Sequence, residues 1–230
     1  MKSLCRILLA LTLCLGVGCQ ANSTPSPQPQ TAPAAASQQE DWALRLVNAT
    51  HPLPEDFTVE TTSIPGYDNR EFDSRAAQQL CQMLQAAEED GHPLYLVSAY
   101  RSVQRQTALF ERKTQFFKNQ GMDTEAAQER ASQVVARPGT SEHNLGLAVD
   151  LVSSDWYQNH SDLTTEFEST PAFAWLEANA ARFGFVLRYQ KGKESITGVE
   201  YEPWHYRYVG VTAATEMQKQ QLVLEEYLSL

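Results

Sequence analysis

Past residue 19 the sequence carries a single cysteine, Cys81, so no disulfide can close within its folded part. Cys81 falls at helical spacing with Ala77, Leu80 and Leu84, where a buried structural thiol is expected rather than a nucleophile. Cations are scarce: 18 Lys and Arg stand against 28 Asp and Glu, for a formal net charge of -10. That balance argues against broad nucleic-acid binding, which needs clustered positive charge. Long apolar runs are missing too. The longest, Ile7 to Leu15, is shorter than the ~20 residues of a membrane-spanning helix. Residues 20–40 contain no large apolar side chain at all. Such a stretch of Pro, Ser, Gln and Ala cannot bury enough surface to offset chain entropy, so a disordered tether is expected there.

What precedes the tether has a different character. Lys2 and Arg6 give a basic start, the short apolar run follows, and small residues lead to Cys19. This is the anatomy of an export signal over residues 1–19. Cys19 after Gly18 resembles the acylated cysteine of bacterial lipoproteins, although leucine stands at position 15 and glycine at 16. The alternative is an ordinary cysteine of a cleaved signal. An exported, membrane-anchored lipoprotein facing the cell wall is the expectation.

Residues 41–230 are long enough to enclose one core. In "EFDSRAAQQLCQMLQAAEEDG" (71–91), the stripe Ala77, Leu80, Leu84 predicts a helix capped by Asp73 or Ser74 and ended at Gly91. "PLYLVSAYR" (93–101) alternates as a strand. Helices are predicted over 103–119 and 124–135, and a strand over "LGLAVDLV". A helix follows in "TPAFAWLEANAARFGF", ending at Gly184, and a last one over 212–227. Between these two helices, "FVLRY" and "EPWHYRYV" read as strands separated by the polar loop "QKGKESITG". No internal repeat is present. Helices early and strands late predict an α+β fold, with a small, mainly antiparallel sheet flanked by helices.

Two of the five histidines have acids at suggestive distances: Asp150 after His143, and Glu202 before His205. Three nitrogen or oxygen ligands plus an open position describe a catalytic zinc site, and a neighbouring carboxylate outside the ligand set is its general base. His143 is expected at the strand entrance, with Gly146 permitting the turn that lets His143 and Asp150 converge. An acid among Leu147, Val149 and Leu151 is tolerable if a divalent cation neutralises it. Without one, burial costs on the order of several kcal/mol. Residues three apart on a regular strand face opposite sides, so Glu202 meets His205 only through local irregularity, which Pro203 favours. On spacing alone other readings stay open: packed histidines, a salt-bridged Asp150 and a solvated Glu202.

Taken together, "SEHNLGLAVD" (141–150) and "EPWH" (202–205) resemble the zinc peptidases of the VanY-type D-alanyl-D-alanine carboxypeptidase family. Its pattern S-x-H-x-x-G-x-A-x-D, followed by E-x-W-H, is filled by Ser141, His143, Gly146, Ala148 and Asp150, then by Glu202, Trp204 and His205. "SAYRS" (98–102) resembles the family's arginine segment, and the similarity spans roughly Phe72 to Gly210. The resemblance implies a hedgehog/D-Ala-D-Ala peptidase-like fold with its zinc site at the sheet, and residues 41–230 as the catalytic domain. It implies Zn²⁺ held by His143, Asp150 and His205, with Glu202 as catalytic base. Arg101 would engage the substrate's carboxylate or the carbonyl under attack, and Ser141 would hold the substrate end. Gln106 would line the same cleft or stand as an ordinary exposed helix residue. The implied activity is removal of the C-terminal D-alanine from peptidoglycan stem peptides by a monomer, as a D,D- or an L,D-carboxypeptidase. D,D-dipeptidases and endopeptidases share these motifs. A catalytically silent zinc-binding wall module is the rival from another class.

Overall fold

The computed structural model describes residues 41–67 and 70–230; the export signal, Cys19 and the tether lie outside the described residues. The chain enters through a 3₁₀ turn, Asp41–Leu44, and forms a two-stranded antiparallel hairpin of β1 (Thr61–Ser63) and β2 (Glu71–Asp73). Helix α1 (Ala77–Glu89) leads to β3 (Leu94–Ser98), and the helices α2 (Val103–Asn119) and α3 (Thr124–Ser132) follow. A single turn, α4 (Glu142–Leu145), precedes β4 (Ala148–Ser153), α5 (Ser154–Asn159) and α6 (Pro171–Asn179). Then come β5 (Phe185–Leu187), α7 (Glu194–Thr197), β6 (His205–Tyr208), α8 (Val211–Gln220) and α9 (Leu224–Tyr227). The main sheet has the order β3-β4-β6-β5, every pair antiparallel. This is the expected α+β architecture.

The main core lies between the sheet and the helices on one side. Leu80 and Met83 of α1, Leu96 and Leu151 of the sheet, and Leu176 of α6 are all enclosed there. A second cluster joins Val186 and Val209 to Ala214 and Met217 of α8 and Leu224 of α9. The helices α2 and α3 close a small core of their own around Phe110, Phe117, Ala127 and Ala131.

Several boundaries depart from the sequence reading. Asp73 and Ser74 do not cap α1, which starts after Ala76 with no side-chain cap. Phe72 is fully buried and drawn into pairing with Thr62, while the Asp73 carboxylate receives the backbone and side chain of Arg75. The strand expected over 93–101 ends at Ser98, because the next backbone amides turn elsewhere: Tyr100 donates to Glu71 and Arg101 to His143. The last helix is two helices, broken at Gln221, whose φ of 55° lies in the left-handed region. The break lets Val223 and Leu224 reach the interior. Cys81 is half-buried rather than enclosed, and burial raises its thiol pKa, which keeps it inert.

Candidate active site

The site is assembled by one tight turn and one strand register. Ser141 accepts the amide of His143 at 3.3 Å and starts α4; Gly146, at φ 83°, ends it. His143 therefore sits on a helical turn rather than at the strand entrance, because the serine cap and the left-handed glycine close that turn around it. A Cβ at Gly146 would only touch the Val59 side chain, at 3.4 Å, so it is the φ of 83° that the position needs glycine for. Past this turn β4 runs between its neighbours with Asp150 opposite His205 on β6 and Ser98 on β3. The expected irregularity at Pro203 is a turn, with the His205 amide donating to the Glu202 carbonyl at 3.1 Å. It places Glu202 beside His205 instead of across the strand.

His143, Asp150 and His205 offer one donor atom each, all within 4.8 Å of one another and all buried. The Nδ1 of His143 lies 2.8 Å from the Ala99 carbonyl; a carbonyl only accepts, so this nitrogen carries the proton. Its Nε2 then turns a lone pair inward, 3.3 Å from Asp150 Oδ2. His205 is oriented the other way: its Nδ1 faces Asp150 Oδ1 at 3.2 Å and Glu202 Oε2 at 3.5 Å. Asp150 Oδ1 is buried and has no hydrogen-bond partner, a costly state that a cation would relieve. Two imidazole nitrogens and a carboxylate oxygen suit zinc.

Arg101 approaches from the other side, its Nη2 3.8 Å from Asp150 Oδ2. Ser98 Oγ and Gln106 Oε1 each accept from its guanidinium at 2.8 Å. Gln106 is fully buried and also donates to the Ala136 carbonyl, so the exposed-residue alternative is overturned. All seven candidate residues line one cleft of about 470 Å³, walled by the sheet, by α2 and by the segments 134–136 and 199–204. A larger hollow of about 750 Å³ lies beside β5 and α8 and contains none of them. Chemistry, not size, distinguishes the two.

The charges are strongly coupled. Burial pushes the Glu202 carboxyl up to about 8, with Asp150 adding to the rise and His205 and Arg101 opposing it. Burial would also lift Asp150, but the two imidazoles outweigh it and hold its carboxyl below the usual range. His143 is lowered by burial. Burial works against protonation of His205 as well, yet the Asp150 and Glu142 carboxylates that face its ring raise it to about 9. One imidazole is thus ready to be a neutral ligand, and the other carries a proton that a cation would displace.

Sequence reasoning missed three charged residues next to this group. Glu142, Arg188 and Arg207 are buried and mutually ion-paired. Arg188 and Arg207 carried a faint signal, a charge among apolar and aromatic neighbours in "FVLRY" and "HYRYV"; Glu142, in the polar "SEHN", carried none.

A donor set open to a cleft, with a carboxyl alongside whose pKa is lifted towards neutrality, belongs to a mononuclear metallohydrolase rather than to a structural metal site. A family model described as VanY, D-alanyl-D-alanine carboxypeptidase, matches residues 69–211. The chain belongs to that family. A D-alanyl-D-alanine carboxypeptidase of Enterococcus faecalis is 38% identical over 191 residues, covering 83% of this chain and 67% of the relative. Among solved structures, a variant of the vancomycin-resistance D,D-pentapeptidase VanY in complex with Zn(II) is 39% identical with a TM-score of 0.72, covering 82% of this chain and 99% of the other. The LD-carboxypeptidase LdcB is 38% identical with a TM-score of 0.66, covering 80% and 84%.

Proposed function

We propose that the chain is a zinc-dependent carboxypeptidase that removes the C-terminal D-alanine from peptidoglycan stem peptides outside the cytoplasm. The observation that supports this most is the meeting of His143, Asp150 and His205 donor atoms within 4.8 Å, with Glu202 and Arg101 on the same cleft. When bound, zinc supplies a nucleophile near neutral pH and a Lewis acid for the scissile carbonyl. Glu202 takes the proton from the attacking water and returns it to the leaving amine. Arg101, held by Ser98 and Gln106, receives the terminal carboxylate or the carbonyl oxygen through its planar fork, a grip that lysine does not reproduce. Ser141 lines the same cleft, and its hydroxyl would meet the substrate end. Glu202 and Arg101 both line the cleft, which supports a role in turnover. That disfavours a silent binding module.

The test is mass analysis of products from defined tetra- and pentapeptide stems, with and without a chelator. Loss of one D-alanine from either stem, abolished by the chelator and restored by zinc, is expected. The stem that reacts assigns D,D or L,D cleavage. Activity indifferent to the chelator would remove the mechanism. On the same reading the enzyme works as a monomer, tethered through residues 20–40 to a lipid anchor on Cys19. Mass measurement of the membrane-extracted chain checks the acyl group.

A further inference from the structure

The side of His205 turned away from the cleft rests on a buried group of charges that the reaction does not use. Glu142 Oε1 accepts from two guanidinia at once, Arg188 Nε and Arg207 Nη1, each at 2.7 Å. Arg188 is gripped in turn by Glu225 through two hydrogen bonds of 2.8 and 2.7 Å. Arg207 donates onward to the carbonyls of Ala43 and Arg45 at 2.7 and 2.8 Å. Two carboxylates thus face two guanidinia, and both ends of the described chain are tied into the knot.

One oxygen of Glu142 remains. Its Oε2 is buried without a hydrogen-bond partner, and so is His205 Nε2, which lies 3.6 Å away. An acceptor and a ring nitrogen, each otherwise unsatisfied, face each other across that gap. The placement follows from the chain itself. Glu142 immediately precedes His143 on α4, so one helical turn supplies both a candidate ligand and the support of another. Arg207 lies two residues beyond His205 on β6, hence on the same face of the strand. The Arg188 amide donates to the His205 carbonyl at 3.1 Å, which fixes the second guanidinium to the same spot. Buried ion clusters rarely stabilise a fold more than apolar packing would, so stability alone does not account for this one.

We propose that Glu142 is a positioning residue for His205. Its Oε2 accepts the Nε2 proton, fixes the tautomer that leaves Nδ1 free towards the cleft, and is itself immobilised by Arg188 and Arg207. The proposal rests on the reading of His205 as a zinc ligand. Metal-ligating histidines are held this way by a carboxylate on the outer nitrogen, and loss of such a partner weakens metal binding by ~10- to 100-fold.

The experiment compares the zinc-loaded full chain with Glu142→Asp, Glu142→Gln and His205→Ala. Zinc affinity is read by competition with a chromophoric chelator, and the His205 tautomer by nitrogen-15 imidazole spectra. Glu142→Asp keeps the charge between the arginines but withdraws it from the ring. It is expected to fold and to bind zinc ~10- to 100-fold more weakly. Glu142→Gln cannot serve the arginines and His205 with its one oxygen, so it weakens zinc similarly. A purely structural role would instead lower thermal stability and leave the zinc affinity of the folded variants unchanged, which overturns the proposal. Should neither variant fold, the wild-type spectrum still decides: a proton on Nε2 with Nδ1 metal-bound supports the proposal, and the reverse tautomer overturns it. If His205→Ala binds zinc as tightly as wild type, the ligand reading fails instead.

Discussion

Val149 and Leu151 have no accessible surface, and Asp150 between them is 6% exposed. A carboxylate in that position is an expensive choice unless something cationic meets it. In the metal-free protein the protonated His205, with Arg101 3.8 Å away, performs that office, and with zinc bound the cation would. Glu202 is the contrasting acid. It shares the cleft but belongs to a turn, and burial lifts it to about 8, within reach of exchanging protons near neutrality. The proposed mechanism uses that separation: it has the one stay charged to hold the metal and the other cycle its proton. Glu202→Gln is therefore expected to keep zinc and to slow D-alanine release by about 10²- to 10⁴-fold. Metal content and turnover measured on the same preparation check this, and loss of zinc in that variant would make Glu202 a ligand instead.

At the scale of elements, function depends on the register β3-β4-β6 and on the turn before β4. A slip of one residue would turn Asp150 to the opposite face and break the pairing with His205. The Gly146 turn is the more accessible point of attack. Gly146→Ala places a side chain at φ 83° and against Val59, which costs about 1–2 kcal/mol for the backbone alone. At this domain size that is a Tm decrease of about 2–8 °C, accompanied by weaker zinc binding because His143 sits on the same turn. Calorimetry and zinc titration of one variant test both parts, and unchanged values would show that the turn does not set the site. The sequence made these elements legible where a pattern was long or a residue unusual: α2, the β4 strand and the acid inside it. It left the β1–β2 hairpin unread, since "TTS" and "EFD" are too short and polar to show a period. The break at Gln221 was hidden because no proline or glycine marks it. Glu142, Arg188 and Arg207 were unread because each looks like an ordinary surface charge until tertiary contacts bury it.

For the whole molecule, the buried charges make stability depend on pH in a direction set by the metal. A Glu202 carboxyl raised from 4.5 to about 8 stays protonated in the folded chain after the unfolded chain has lost its proton. Folding of the metal-free protein therefore becomes less favourable as pH rises through that window. His205, raised from 6.5 to about 9, acts in the same sense: its contribution is complete below 6.5 and lost as pH passes 9. His143, lowered by burial, works the other way below its ordinary 6.5, and Asp150 does so only in acid, below its ordinary 3.8. Zinc requires neutral imidazoles and a charged carboxylate, so its stabilisation grows with pH as that of the metal-free state fades. Thermal scans between pH 7 and 9, above the range in which His143 titrates, should show the metal-free Tm falling and the gap to the zinc-loaded protein widening. A metal-free Tm that stays level or rises would contradict this account of the site's charges.

The central claim is that three side chains remote in sequence hold one catalytic ion. Zinc content per chain, measured on the purified wild type and on His143→Ala, Asp150→Ala and His205→Ala, tests it most directly. One zinc per wild-type chain, and a severe loss in each variant that still folds, is the result expected. Folded variants that retain a full complement of zinc, or a wild type that binds none, would contradict it.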